Sequence, residues 1–161
     1  MSARTQWVLL AYRIPREPST PRIAVWRRLK RLGVAQLGDG LVALPLDART
    51  REQLEWVADE IRQASGEAML WLAQPASAAQ EQGLATQLAD ARSAEYLAVI
   101  SEAESITTAN RRTIQRLRRE LRRISRRDYF PPPERAAAKA AIDALAARTQ
   151  QTAEDREASR P

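Results

Sequence analysis

The chain contains neither cysteine nor histidine. Without cysteine it can form no disulfide, no thiolate metal site and no cysteine nucleophile. Without histidine it lacks the commonest general base and the commonest protein ligand for zinc or copper. These absences exclude most hydrolase and metalloenzyme designs, so the sequence predicts a protein that binds rather than catalyses.

Long apolar runs are missing as well. The first such run, residues 7–12, ends at Arg13 and is too short for a signal-peptide core or a membrane span. We therefore expect a cytoplasmic protein. The remaining composition, with 44% hydrophobic and 29% charged residues, is typical of one globular domain with additional elements.

The net charge of +6 is distributed unevenly. Residues 1–46 carry eight basic and two acidic side chains, residues 47–110 carry four and eleven, and residues 111–161 carry fourteen and seven. Two basic blocks thus flank an acidic block. This asymmetry favours a polyanionic partner, but it also allows the basic blocks to pair with the acidic block within the protein or its dimer.

The first 75 residues alternate between strand and helix patterns. Apolar runs of strand length occupy residues 7–12 and 68–73, and two more flank a glycine-bracketed turn at residues 38–40 that can close a hairpin. With two intervening helices, the order is β-α-β-β-α-β. It predicts an α+β fold with a ferredoxin-like domain over residues 1–75, a topology that by itself carries no function.

Both helices of this domain have recognisable caps and apolar stripes. Ser19 or Thr20 can cap the first helix, and Asp47 or Thr50 the second. The first is expected to end at Gly33 and to turn Ile23, Trp26, Leu29 and Leu32 inward. The inward stripe of the second is Leu54, Val57, Ala58 and Ile61.

From residue 76 onward the pattern is helical. A heptad pattern runs from Tyr96 to Ile124 and weakens at Thr107 and Asn110, which predicts a long helical extension over residues 76–130. Three prolines, residues 131–133, must then break the helix. We expect a Pro-rich linker and a short alanine-rich helix over residues 131–148 and a disordered polar tail over residues 149–161.

Nine arginines crowd residues 111–127, at positions Arg111, Arg112, Arg116, Arg118, Arg119, Arg122, Arg123, Arg126 and Arg127. Four apolar residues of the segment are expected to face inward: Ile114, Leu117, Leu121 and Ile124. The planar guanidinium group pairs well with phosphate, so this helix is a candidate ligand of the DNA backbone. The alternative is a solvated helix face that pairs with the acidic block or with a dimer partner.

A second basic set follows the first strand and the first helix. If the long helix packs nearby, the two sets form one continuous positive surface, and they supply the predicted DNA-binding residues Arg22, Arg27, Arg28, Lys30, Arg31, Arg112, Arg116, Arg119, Arg122, Arg123 and Arg126. Arg13, Arg16 and Arg22 lie beside a helix N-terminus and form a candidate oxyanion site. A plain capped helix start is the alternative there.

No catalytic, metal or cofactor site is expected. Asp39 falls in the hairpin turn and Asp47 at a helix start, and no nucleophile, base and stabilising group can be assembled around either. The Gly38-x-Gly40 turn lacks the helix and the Lys-Ser/Thr pair that complete a phosphate loop. Metal-dependent cleavage of DNA is therefore not expected.

Four segments carry a family resemblance: residues 7–45, which begin WVLLAYRIPREPSTPRIAVWRRLKRLG, and the shorter strings EQLEWVADEI, DARSAEY and RDYF. They resemble the N-terminal domain of the ChrB chromate-resistance regulators over most of residues 7–130. The string Leu-Pro-Arg-Glu-Pro-Ser that usually follows the first strand in that family reads Ile-Pro-Arg-Glu-Pro-Ser here, at residues 14–19.

The resemblance implies a cytoplasmic, dimeric, chromate-responsive transcriptional regulator that binds promoter DNA within a chromate-resistance system. A more distant resemblance is to the phenylacetate repressor PaaX and to the small integration-complex subunit of CRISPR systems, which share a ferredoxin-like dimerising domain. The nuclease aspartate of some CRISPR subunits has no match, because Tyr12 and Arg13 stand there.

ChrB proteins continue into a C-terminal domain thought to contribute to chromate sensing, whereas this chain ends at Pro161. Direct chromate sensing by this chain is accordingly left open. A dimerisation or interaction protein of the same system, which uses the arginine-rich helix for protein contacts instead of DNA, is the alternative function.

Overall fold

The computed structural model describes residues 5–158, with residues 156 and 157 described for their backbone alone. Over these residues the chain forms β1 (Trp7–Arg13), α1 (Ser19–Leu32), β2 (Ala35–Gly38), β3 (Leu41–Pro45), α2 (Ala48–Gln63), β4 (Glu67–Ala73), α3 (Ala78–Ser105), α4 (Arg111–Ser125) and α5 (Glu134–Ala158). The described residues up to Leu88 belong to one compact unit and those from Ala89 to a second, with the boundary inside α3. The α+β class is confirmed.

The first unit contains a four-stranded sheet in the order β2-β3-β1-β4, in which all neighbouring strands are antiparallel. Strand β1 is central, and its Val8 and Leu10 are fully buried. Strand β4 is at the edge, where Met69 and Trp71 are exposed. The apolar runs at residues 7–12 and 68–73 therefore both form strands, but only the central strand β1 is well buried.

The β2–β3 hairpin closes at Gly40, as the glycine-bracketed turn predicted. Gly40 has a φ of 71°, a left-handed conformation that side chains other than glycine rarely adopt. Its carbonyl oxygen accepts a hydrogen bond of 2.7 Å from the backbone N–H of Tyr12, and a Cβ at this position would lie 2.3 Å from the Tyr12 carbonyl oxygen. The hairpin turn is thus tied directly to the end of β1.

Helix α1 is rotated relative to the orientation that the sequence predicted. Val25 and Leu29 are buried, whereas Ile23 is 42% exposed and Trp26 is 52% exposed, so the prediction that the last two face inward was wrong. Val25 and Leu29 are four residues apart and satisfy the same helical period from a neighbouring start. Gly33 ends the helix in a left-handed conformation, as predicted.

The predicted cap of α1 was wrong, and that of α2 was confirmed. Pro18 occupies the N-cap of α1, and no side chain caps that end. At α2, the Asp47 carboxylate accepts a 2.7 Å hydrogen bond from the Thr50 N–H, and the Thr50 hydroxyl accepts one of 2.9 Å from the Asp47 N–H. This reciprocal capping box explains why the second helix begins where the sequence indicated.

The predicted long helix is broken at residues 106–110, so that prediction was wrong. The Asn110 side chain accepts a 2.9 Å hydrogen bond from the Thr113 N–H and starts α4 as a new helix. The break falls where the heptad pattern is weakest, because Thr107 and Asn110 offer no apolar side chain for burial in a continuous helix.

The C-terminal helix is longer than predicted. Helix α5 continues to Ala158, so the expected short helix to residue 148 and disordered tail from residue 149 were wrong over the described residues; residues 159–161 lie outside them. Thr149 and Thr152 donate hydrogen bonds to the carbonyl oxygens of Leu145 and Arg148, at 2.8 and 2.9 Å. Their hydroxyls are satisfied within the helix, and neither proline nor glycine interrupts it.

The core of the second unit is made by α3, α4 and α5 together. Its buried members are Tyr96, Val99, Ala103, Leu117, Ile124, Ala138, Ile142 and Leu145. Of the apolar members of the heptad pattern, Tyr96, Ala103, Leu117 and Ile124 are buried as predicted, although two helices supply them instead of one. Ile100, Ile114 and Leu121 are only partly buried and pack against this core. Within residues 5–158 no helix is both long and apolar enough to cross a membrane.

Candidate functional site

Several of the nine crowded arginines are neutralised within the second unit. The pairs are Arg116 with Glu102, Arg118 with Asp143 at 3.7 Å, Arg123 with Glu120 and Arg127 with Glu95. Hydrogen bonding to Glu102 raises the pKa of Arg116 and hydrogen bonding to Glu120 raises that of Arg123. Pairing with the acidic block, the alternative considered for this helix, therefore occurs at Glu95 and Glu102.

Four other arginines of α4 have no carboxylate partner among the described side chains. Within residues 5–158, Arg111, Arg112, Arg119 and Arg122 are exposed and form no ion pair. Arg112 and Arg119 are seven residues apart, which places them on one side of the helix about 10 Å apart along its axis. Both line a surface pocket of about 440 Å³ together with Arg116. Arg126 is exposed but makes a contact within the chain.

The basic set of α1 divides in a similar way. Arg28 Nε lies 3.1 Å from Glu60 Oε2, and the Lys30 ammonium lies 4.5 Å from the centroid of the Trp26 ring. Arg22, Arg27 and Arg31 are exposed and form no ion pair within the described part of the chain. This set belongs to the first unit and the arginines of α4 to the second, so one continuous surface stays a prediction.

The end of β1, α1 and the β2–β3 hairpin line an open surface pocket of about 800 Å³, called the arginine pocket below. Arg13 and Arg22 of the predicted oxyanion site line it, and Arg27 of the predicted DNA-binding set joins them. Arg16 is exposed and is not among the lining residues. Within residues 5–158, Asp39 is the only acidic side chain that lines it.

Aromatic and apolar groups form the rest of this pocket. Trp26 and Ile23, the two α1 residues expected in the core, line it instead. Burial, and to a smaller extent the charge of Asp39, raises the pKa of Tyr12 above its usual 10.0, so that its phenol stays neutral at physiological pH. The pocket thus combines three guanidinium groups with an indole and a neutral hydroxyl.

A second polar cluster is buried between α3 and the end of α4. Arg92 is 6% exposed, and its Nη2 lies 2.9 Å from Glu95 Oε1, while Glu95 also binds Arg127. The Tyr96 hydroxyl donates a 2.8 Å hydrogen bond to the fully buried carboxylate of Asp128. Burial lowers the pKa of Arg92, an effect that Glu95 opposes, and burial raises the pKa of Tyr96.

This cluster joins two strings that the sequence showed separately. DARSAEY supplies Arg92, Glu95 and Tyr96, and RDYF supplies Arg127 and Asp128. Their polar side chains hold the end of α4 against α3. Within residues 5–158, no group of three or more acidic side chains could hold a metal ion.

A family model described as "Protein ChrB, N-terminal" matches residues 22–109 of the chain. The chain belongs to the ChrB N-terminal family. A curated relative, Protein ChrB of Cupriavidus metallidurans, is 30% identical over 159 aligned positions that cover 89% of this chain. The chain spans about half the length of that ChrB protein, 48% of it. No solved structure matches.

The ChrB match begins inside α1 at Arg22, contains the basic set of that helix and ends before α4. It includes the DARSAEY string but not the RDYF string, which lies within the longer range of similarity that the sequence predicted. The predicted family resemblance is confirmed. The arginines of α4 thus lie outside the part that the family model describes.

The sequence did not reveal the exposed positions of Ile23 and Trp26 or the participation of Asp39 in the arginine pocket. The sequence did contain an indication of this orientation. Val25, Leu29 and Leu32 form an apolar stripe with spacing as regular as that of the predicted stripe, which contains Ile23 and Trp26. Asp39 offered no comparable signal, since aspartate is ordinary in a hairpin turn.

Proposed function

We propose that this chain is a non-catalytic transcriptional regulator associated with chromate resistance, which binds duplex DNA through exposed arginines. The observation that carries the proposal is the set of four unpaired arginines on α4, Arg111, Arg112, Arg119 and Arg122. Membership of the ChrB family supports the link to chromate resistance.

The unpaired arginines suit the DNA backbone better than a protein surface. They are exposed, they carry no carboxylate that a phosphate must displace, and Arg112 and Arg119 project from one side of a rigid helix. Arg22, Arg27 and Arg31 of α1 provide a second set of the same kind. Each phosphate that a guanidinium neutralises releases counterions, which supplies affinity without base recognition.

We also infer a ferredoxin-like arrangement for the first unit from its strand order, and a homodimer as the active form. We do not propose that this chain binds chromate directly. Of the three arginines predicted for the oxyanion site, Arg13 and Arg22 line the arginine pocket and Arg16 does not.

The test is the affinity for promoter DNA as a function of salt concentration. Each neutralised phosphate contributes about −0.9 to the slope of log affinity against log salt, so the four unpaired arginines of α4 predict a slope of about −3 to −4 or steeper. A flat plot would exclude binding through phosphates. Arg62→Ala is a control, since Arg62 is exposed on α2 and paired with Asp59.

A dimerisation or interaction protein that does not bind DNA is the second candidate. The observation in its favour is the exposure of Met69 and Trp71, which are 57% and 55% exposed on edge strand β4. Met69 and Trp71 are two residues apart on the strand, so their side chains lie on the same face of the sheet. Their partners on β1, Ala11 and Leu9, share that face. A Trp71→Lys variant with unchanged mass in light scattering would argue against association through this face.

A further inference from the structure

The arginine pocket contains positive charge that the protein does not neutralise. None of Arg13, Arg22 and Arg27 forms an ion pair within the described residues, whereas Arg28 on the same helix is paired with Glu60. Counted over the described residues, the pocket has three cations and one carboxylate, that of Asp39. It therefore suits a ligand with about two negative charges, a balance set by opposite-charge pairing.

Its apolar part is as distinctive as its charge. Trp26 is 52% exposed and Ile23 is 42% exposed, although both follow the helical spacing of core residues. The Lys30 ammonium lies 4.5 Å from the centroid of the indole and occupies one face of it. Trp26 also lines the pocket, and stacking on tryptophan is how proteins commonly hold a nucleobase.

The pocket is much larger than a bare oxyanion. A water molecule accounts for about 30 Å³ of liquid, so an anion of four oxygens takes on the order of 100 Å³. The pocket measures about 800 Å³ and falls within the range of sites for small organic molecules. An oxyanion alone would not cover the exposed apolar surface of Trp26 and Ile23.

We propose that the arginine pocket binds a nucleoside phosphate, with the base stacked on Trp26 and the phosphate paired with Arg13, Arg22 and Arg27. The Asp39 carboxylate accepts a hydrogen bond from an amino group on the edge of the base, a role that carboxylates have in recognising cytosine. Repulsion between Asp39 and the phosphate then favours one orientation of the ligand.

The ligand has two sources, a free mononucleotide or the terminal nucleotide of a single strand. Binding of a nucleoside phosphate in this pocket does not depend on duplex binding, and its test uses no duplex DNA. The result of this test can therefore be interpreted even if the chain does not bind promoter DNA, and the promoter experiment can be interpreted even if the pocket binds no nucleotide.

The experiment is calorimetric titration of the full chain with cytidine 5′-monophosphate, ribose 5-phosphate, sulfate and a single-stranded cytidine tetranucleotide. We expect the mononucleotide to bind at least about 10-fold more tightly than ribose 5-phosphate or sulfate, because only it has a base to stack. Trp26→Ala should weaken its binding by about 5- to 150-fold. Trp56→Ala is the matched control, since Trp56 is 58% exposed on α2 and does not line the pocket.

The tetranucleotide distinguishes the sources. Tighter binding of the tetranucleotide than of the mononucleotide, lost in Trp26→Ala, assigns the pocket to a strand end, and the opposite order assigns it to a free nucleotide. Equal affinity for ribose 5-phosphate, sulfate and the mononucleotide would overturn the proposal in favour of a simple anion site. Absence of binding, or equal loss in Trp26→Ala and Trp56→Ala, would also overturn it. Arg27→Ala against Arg51→Ala repeats the comparison for the phosphate, because Arg51 is exposed on α2, is paired with Glu55 and does not line the pocket.

Discussion

Helices α1 and α4 are both rich in arginine, but they place their apolar side chains differently. In α4, Leu117 and Ile124 are buried in the core of the second unit, so that the exposed surface of the helix is polar. In α1, Ile23 and Trp26 remain exposed among the cations. A polar arginine surface suits phosphates alone, whereas a mixed surface suits a ligand with both a charge and a ring.

The two helices also show how little a count of arginines says about available charge. Carboxylates neutralise Arg116, Arg118 and Arg123 on α4, and Glu60 neutralises Arg28 on α1. The remaining arginines are the ones that can take a new anion without losing an existing partner. Variants that separate paired from unpaired arginines, and buried from exposed apolar residues, therefore test the comparison directly.

The largest expected effect concerns the apolar residues. Leu117→Ala should lower the free energy of unfolding by about 2–5 kcal/mol, because Leu117 is fully buried and its loss leaves a cavity. Ile23→Ala on α1 should lower it by no more than about 1 kcal/mol. Urea denaturation followed by circular dichroism measures both. Similar losses would show that the two helices do not differ as described.

The next effect concerns the buried polar cluster of the second unit. Tyr96→Phe removes the hydroxyl that donates to the buried Asp128 carboxylate and should cost about 1.5–3 kcal/mol. Tyr12→Phe in the first unit is the control, because the Tyr12 hydroxyl has no hydrogen-bond partner among the described residues. Equal unfolding midpoints for Tyr96→Phe and the unmodified chain would argue against the cluster as a stabilising contact.

Paired and unpaired arginines of α4 should differ in DNA binding. Replacing Arg112 and Arg119 by alanine should make the salt slope shallower by about 2, since each lost phosphate contact removes about 0.9. Replacing Arg116 and Arg123 should leave the slope close to that of the unmodified chain. The slope separates the variants better than a single affinity, because the second variant also frees the charges of Glu102 and Glu120. Equal changes in slope would remove the distinction.

The smallest effect is expected at the paired arginine of α1. Arg28→Ala should change the free energy of unfolding by about 0–1 kcal/mol, because both partners of this ion pair are partly exposed. The difference should shrink further in about 1 M salt, which screens exposed charges. A larger loss that persists in high salt would mean that Arg28 stabilises the helix by packing.

Much of the first unit could be predicted from local signals. The capping box at Asp47 and Thr50, the glycine turn at residues 38–40 and the apolar stripe of α2 each arise from neighbours in sequence. Prediction failed where two local patterns were equally good. Helix α1 offers two apolar stripes, and packing against α2 selects the one with Val25 and Leu29.

The candidate site was predictable as residue types but not as an arrangement. In the sequence, nothing distinguishes the arginines of α4 that form ion pairs from those that do not. Their difference depends on which acidic side chains α3 and α5 bring close, such as Glu102 and Asp143. The arginine pocket likewise needs the hairpin turn to return to the end of β1 before Asp39 can join Arg13 and Arg22.

The amino-acid sequence by itself determined the absence of thiol and imidazole chemistry, the three charge blocks and the helix starts with local caps, because each depends on residue identity or on neighbours within a few positions. The tertiary structure decided the rotation of α1, the break between α3 and α4, and which arginines form no ion pair. Those outcomes depend on burial and charge pairing between segments far apart in the chain, where small differences in free energy select among alternatives that are locally equivalent.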